Sequence, residues 1–319
     1  MSLVPVAVAL ALLTSALVSL ALRALTPALT QALRGLPPRA SARWSLALLA
    51  APAVLGALVV LIAFGHCAVP RALGRSDDCV TAAGLRCAVC LLHPAAFGLG
   101  AWALAAAGLA LVSARVGALA RGIHHARRAH ARLRMIARPR PDGSWAVPGA
   151  HAFVVGWPAP VVCIGEDLDR ALSQGAVEAI AAHERAHLAR GDVVARAVAR
   201  LLAVAHLPAA ARPLLDAFDL AHERACDERA SRAVADPVLV AETLIEARRL
   251  QSAAGPVGYG CACASLDLRV SALCEAPAPS SPRLLFATAG AASLALGLAL
   301  SAPHEIHRVA ELVATLLRG

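Results

Sequence analysis

The chain has 319 residues, 59% of them hydrophobic and only 3% aromatic, with a mean hydropathy of +0.65. That balance excludes both an ordinary soluble domain and a disordered chain, and points to a protein of the membrane. The formal charge of +9 rests wholly on arginine, since lysine is absent, so the placement of the arginines is the informative quantity.

Four stretches are apolar enough for the roughly 20 residues a transmembrane helix needs. They are Leu3–Leu22, Trp44–Gly65, Ala95–Val116 (interrupted only by Arg115) and Leu284–Ala302. The first lacks a basic start and a small-residue cleavage site before Arg23, so it reads as a retained helix and not a signal peptide. Arg23, Arg34, Arg39 and Arg43 follow the first stretch, and the run "ARGIHHARRAHARLRMIARPRP" follows the third. In the connection 66–94, by contrast, the arginines are offset by Asp77 and Asp78. The positive-inside rule then predicts the N-terminus and loop 66–94 outside, residues 117–282 in the cytoplasm, and the tail after Ala302 outside. Topology accounts for the basic run, so no direct nucleic-acid partner is expected, and the bilayer is the partner composition implies. Cys67, Cys79, Cys87 and Cys90 all fall in the loop placed outside, where disulfides persist; three pairings are open. Cys163, Cys226, Cys261, Cys263 and Cys274 are expected to be reduced. The domain division predicted is 1–116 (three spans with the cysteine-bearing loop), 117–282 (a cytoplasmic domain) and 283–319 (the fourth span and a short tail).

Within 117–282, a basic helix is predicted to continue the third span and end before Pro139, with His124, His125 and His130 on a solvated face. Gly and Pro then punctuate two short apolar runs, "AFVV" and "PVVCIG", which read as strands joined by a turn. Ser173 is a candidate N-cap, and Gly191 a C-terminal glycine, for a helix of about 16 residues. Residues 193–215 are apolar but carry Arg196, Arg200, Pro208 and Pro213. They are expected to pack within the domain or lie against the membrane face, and not to cross it. Helices are predicted from Asp216 to Ala233 and from Leu239 to Leu250. The stretch "AAGPVGYGCACASLD" reads as a loop, and residues 304–317 as an amphipathic tail on the membrane surface.

The string "AHERA" occurs twice, at Ala182–Ala186 and Ala221–Ala225. The first copy completes H-E-x-x-H with His183, Glu184 and His187. Histidines at i and i+4 on a helix face the same way and can reach one metal, while the glutamate between them can take a proton from water. Independent residue frequencies yield that pattern in roughly one or two such sequences in a hundred, so the spacing is informative. Zinc needs a third protein ligand, and His206, His222, Glu223, Cys226 and Asp227 are the candidates downstream. Glu223 and Asp227 stand at i and i+4, so one can bind metal while the other holds a ligand histidine. Spacing favours Glu223 only modestly, because three-histidine sites also exist.

The run from Phe153 to Asp192, followed by "ERACDERAS", resembles the membrane metallopeptidases of the BlaR/MecR signal-transducer type. The matching points are a G-x-x-x-P strand lead-in, H-E-x-x-H with Asp192 after its helix, and E-x-x-C-D at Glu223–Asp227. The resemblance covers roughly 120–275 and implies an α-helical membrane protein with about four transmembrane helices and a cytoplasmic α+β gluzincin-type zinc metallopeptidase domain. It implies Zn2+ held by His183, His187 and Glu223, Glu184 as general base, and Asp227 supporting a ligand from behind. The substrate implied is a cytoplasmic protein, by analogy a transcriptional repressor. The E-x-x-C-D spelling separates this group from HtpX-like quality-control proteases, which remain the alternative, beside a non-proteolytic membrane sensor or scaffold with a structural zinc site. In the best-known members a large sensor domain follows the last span, whereas here about seventeen residues follow Ala302. Sensing is therefore expected to fall to loop 66–94 or to a partner. His206, His222 and Tyr259 are candidate transition-state donors. The "PVVCI" strand is expected to pair with an extended substrate.

Overall fold

The computed structural model describes residues 4–72, 99–156, 159–253 and 266–275, with scattered positions between 283 and 313. The fourth predicted span falls almost wholly outside the described residues. So do Cys79, Cys87, Cys90, Tyr259, Cys261 and Cys263, and of Cys67 only the helical backbone is described.

Three helices dominate the N-terminal part: α1 (Val4–Arg34), α2 (Pro38–Ala72) and α3 (Leu99–Ile136). Each contains a segment long and apolar enough to cross a membrane: Val4–Arg34, Pro38–Phe64 and Ala105–Ile136. All three outrun the apolar stretches that predict them, because arginine and alanine are good helix formers once a helix has nucleated. α1 and α2 pack side by side, with the Ser15 hydroxyl donating to the Pro52 carbonyl at 3.0 Å.

A four-stranded sheet follows, with β1 (Arg138–Pro139), β2 (Trp145–Val147), β3 (Ala152–Val155) and β4 (Val161–Gly165) in the order β1-β2-β4-β3. β3 and β4 form the predicted antiparallel pair, with Phe153 opposite Cys163. β2 runs parallel to β4 on its other side. Contrary to the expectation of substrate pairing, "PVVCI" is an inner strand with both edges already bonded and cannot take up a substrate backbone. β3 and the two-residue β1 are the edge strands among the described residues. His130 also departs from its predicted solvated setting, since it stacks on Trp145 with ring centres 5.8 Å apart.

Helices α4 (Glu166–Ala171), α5 (Gln174–Arg190), α6 (Asp192–Leu202), a 3-10 turn (Ala203–Ala205), α7 (Pro208–Val234), α8 (Pro237–Ala253) and α9 (Leu266–Cys274) follow. α5 has its predicted ends. The Ser173 hydroxyl accepts from the Ala176 N–H at 3.3 Å, and Gly191 closes the helix in the left-handed region at φ 66°. α7 begins eight residues earlier than predicted, because Pro208 occupies the first turn, where its missing N–H costs nothing. α9 has no counterpart in the sequence reading, where the loop stretch simply runs on.

The N-terminal half of α7 is buried between the long helices. Leu214, Ala217, Phe218 and Ala221 share one hydrophobic cluster with Leu29 and Leu33 of α1 and Leu48 and Leu49 of α2. Its C-terminal half turns to α5 and α8, where Ala230 meets Ala179 and Val240. Alanines at these crossings let α5 and α7 approach closely, and that proximity sets the site.

Candidate metal centre

α5 carries His183, Glu184 and His187 on its buried face, and α7 carries His222, Glu223, Cys226 and Asp227 opposite them. Arg185, the residue in the middle of the motif, points the other way and donates to Asp142 at 2.6 Å, tying α5 to the β1–β2 turn.

The two imidazoles converge, with their Nε2 atoms 3.0 Å apart. Glu223 completes a triangle: Oε2 lies 3.4 Å from His183 Nε2 and Oε1 lies 3.5 Å from His187 Nε2. Ligands about 2.0–2.1 Å from a tetrahedral zinc stand roughly 3.3 Å from one another, so this donor set has the size a zinc ion requires. The chemistry agrees, with two imidazole nitrogens, one carboxylate and no thiolate in the triangle.

Carboxylates also stand beside the outer nitrogens. His187 Nδ1 lies 2.7 Å from Asp192 Oδ2, and His183 Nδ1 lies 2.9 Å from Asp227 Oδ1. A carboxylate at Nδ1 fixes the tautomer that leaves the Nε2 lone pair free for a metal. Asp192 bonds a second imidazole as well, with Oδ1 2.7 Å from His222 Nδ1, and so accounts for a histidine that does not join the triangle. His206 is buried elsewhere, against Leu49 of α2. His187, Asp192 and Cys226 form a second group of potential ligands. Its members already bond one another through His187 Nδ1 and all are buried, whereas the first group opens on a cavity.

Two arginines neutralise the carboxylates. Arg269 of α9, itself buried, grips Asp227 with Nε to Oδ2 at 2.7 Å and Nη2 to Oδ1 at 2.6 Å. Its Nη1 stands 3.1 Å from Glu223 Oε2. Arg196 of α6 reaches Glu223 Oε1 at 2.5 Å and Asp219 at 3.1 Å. Burial raises the Glu223 carboxyl, but the two imidazoles beside it and the Arg269 charge more than offset it and hold Glu223 well below the usual carboxylate range. Glu184 behaves oppositely. Burial pushes its carboxyl up, and the neighbouring imidazoles only partly oppose this. Two glutamates beside one another are thus driven apart, one toward permanent charge and one toward proton exchange.

The cavity beside them has a volume of about 160 Å³ and is lined by His183, Glu184, Glu223, Thr243, Leu244 and Arg269 among others. Neither Arg269 nor the double role of Asp192 is anticipated by the sequence reading. The one available signal for Arg269 is a lone arginine inside the apolar run "LDLRVSALC".

A model of peptidase family M48 matches residues 126–314, more than half of the chain, and spans every element that contributes to the triangle. The chain belongs to peptidase family M48. Peptidases of this family are zinc-dependent, in keeping with the donor set. No curated protein and no solved structure matches the chain significantly. With its three long apolar helices, this M48 chain is a membrane-associated metallopeptidase.

Proposed function

We propose that the protein is an integral membrane zinc endopeptidase in which His183, His187 and Glu223 hold the ion and Glu184 is the general base. The observation that carries this is the position of Glu184. It lines the same cavity as His183 and Glu223, and burial raises its proton affinity. A purely structural metal site has no use for such a group.

Zinc in this set supplies Lewis acidity toward a peptide carbonyl and lowers the pKa of water. Glu184 removes a proton from the attacking water and returns it to the leaving amine. Asp227 and Asp192 hold the two imidazoles in the ligating tautomer, and Arg269 and Arg196 keep Glu223 ionised. The edge of β3, unpaired among the described residues, suits an extended peptide, and Ala152 at its start lines the same cavity as Glu184.

The regulatory reading goes further. The E-x-x-C-D spelling at Glu223–Asp227 supports a BlaR/MecR-type signalling protease cleaving a cytoplasmic protein such as a transcriptional repressor. The arginine distribution supports a cytoplasmic catalytic domain with the N-terminus outside. The deciding experiment compares Glu184→Gln with wild type in membranes, with zinc content and cleaved-substrate inventories read together. Stoichiometric zinc in both proteins, with cleavage products of a cytoplasmic regulator only in wild type, is the expected result. Products drawn broadly from damaged membrane proteins would replace the signalling reading with quality control. Equal cleavage by both proteins would remove Glu184 as the base.

A further inference from the structure

The hairpin made by α6, the 3-10 turn and the first turn of α7 takes no part in the chemistry beyond Asp192 and Arg196, yet its packing is unusual. Val194, Val198 and Leu201 stand on one face of α6 and are 42%, 41% and 49% exposed, with Val193 and Leu207 beside them at 36% and 42%. The other face carries Ala199, buried against α1 and α2, and Arg196, bonded to Asp219 and Glu223. Arg200, also exposed, borders this stripe on the Val193 side, and its long side chain can carry its charge toward the headgroups. The stripe itself, in a chain with long apolar helices beside it, has a natural solvent in lipid.

The tip of the hairpin fixes its depth. The Leu207 N–H donates to the Ser19 hydroxyl at 2.8 Å, and His206 Nε2 donates to the Leu49 carbonyl at 3.2 Å. Ser19 lies four residues to the apolar side of Arg23, about 6 Å along α1, and Leu49 six residues to the apolar side of Arg43, about 9 Å along α2. Two separate helices thus place the tip at a similar level, below the arginines that mark the membrane surface.

The broken backbone at the tip is satisfied as hydrocarbon demands. Arg115 Nη1 donates to the carbonyls of both Val204 and His206 at 2.7 Å, the His206 N–H donates to the Ala203 carbonyl at 3.1 Å, and Pro208 has no N–H to satisfy. Non-helical backbone survives at membrane depth only where protein groups replace water in this way.

We propose that residues 193–207 form a re-entrant hairpin whose tip dips into the lipid bilayer beside α1, α2 and α3 and presents Val198, Leu201 and Leu207 to acyl chains, with Val193 and Val194 nearer the headgroup level. This rests on the reading of α1 and α2 as membrane spans. One consequence follows for the substrate. α6 has 11 residues, about 16 Å of helix, and its first residue, Asp192, holds His187. The metal centre is therefore tethered close to the membrane surface and favours peptide bonds held near it.

The test uses the full chain reconstituted in phosphatidylcholine vesicles that contain a phosphatidylcholine with a diazirine on its acyl chain, photolysed and mapped by peptide mass spectrometry. Leu17 and Leu20 of α1, each 58% exposed, are the internal reference. Adducts at Val198 and Leu201 within about threefold of that reference are expected for side chains of similar lipid exposure. Yields there about tenfold or more below a well-labelled α1 would overturn the hairpin alone, whether water or another part of the chain covers the stripe. Loss of label from α1 as well would overturn both the hairpin and the reading of α1 as a span.

Discussion

Glu184 and Glu223 are identical side chains given opposite tasks by their surroundings. Glu223 meets two imidazoles and two guanidinium groups, while Glu184 meets mainly desolvation. Glu184→Gln is therefore expected to keep zinc and lower turnover by about 10²–10⁴-fold, as measured by peptide cleavage alongside metal analysis. Arg269→Gln acts through its neighbours. It leaves Asp227 buried without its guanidinium and with only the His183 imidazole beside it, so a loss of about 3–5 kcal/mol of stability is expected, with zinc affinity weakened about 10–100-fold. Arg269→Lys should recover part of the affinity but not the two-pronged grip. Cys163, buried in β4 beside Glu184, is a pH probe. Burial and the Glu184 charge push its thiol up from an ordinary 9.0 to about 11. Because the unfolded chain loses that proton first, the contribution to stability is intact below about pH 9 and declines as pH rises toward about 11. Alkylation of Cys163 in the folded protein should lag an unfolded control across that window.

At the scale of elements, α5 is the piece most legible in the sequence. Its Ser173 cap, its H-E-x-x-H spacing and its Gly191 end are local signals within 19 residues. Gly191 stands at φ 66° directly before Asp192, so Gly191→Ala should cost about 1 kcal/mol. It should also loosen the Asp192–His187 contact, which zinc titration of the variant would detect. α9 and the early start of α7 were not legible for a complementary reason. α9 is nine residues long, too short for its periodicity to stand out, and Arg269 finds Asp227 at a separation of 42 residues. The strand order was equally hidden. Two apolar runs announce strands, but only the parallel pairing of β2 with β4 makes "PVVCI" an inner strand.

At the scale of the molecule, the membrane helices and the peptidase are joined through α7. Leu214 and Phe218 are buried against α1 and α2, about two and a half and one and a half turns before Glu223 on the same helix. A fragment comprising 117–282 alone would expose that surface and is expected to aggregate or lose zinc; sedimentation and metal analysis of the fragment would show it. Chelation of the full chain should both stop cleavage and lower the melting temperature, since a ligand bound only by the folded state stabilises it.

What the sequence determined by itself was whatever depends on neighbours within a helical turn or on bulk composition: membrane residence, the capped helix, and the pairing of His183 with His187 on one face. Tertiary structure alone decided which distant groups met them. It set Glu223 and Asp227, which spacing offered among several candidates, beside two imidazoles, closed Arg196 and Arg269 around them, and set an apolar hairpin against Ser19 and Leu49. Local spacing is dictated by the geometry of the backbone. The charges that neutralise a buried site must come from wherever packing delivers them, and no short-range pattern in the chain records that.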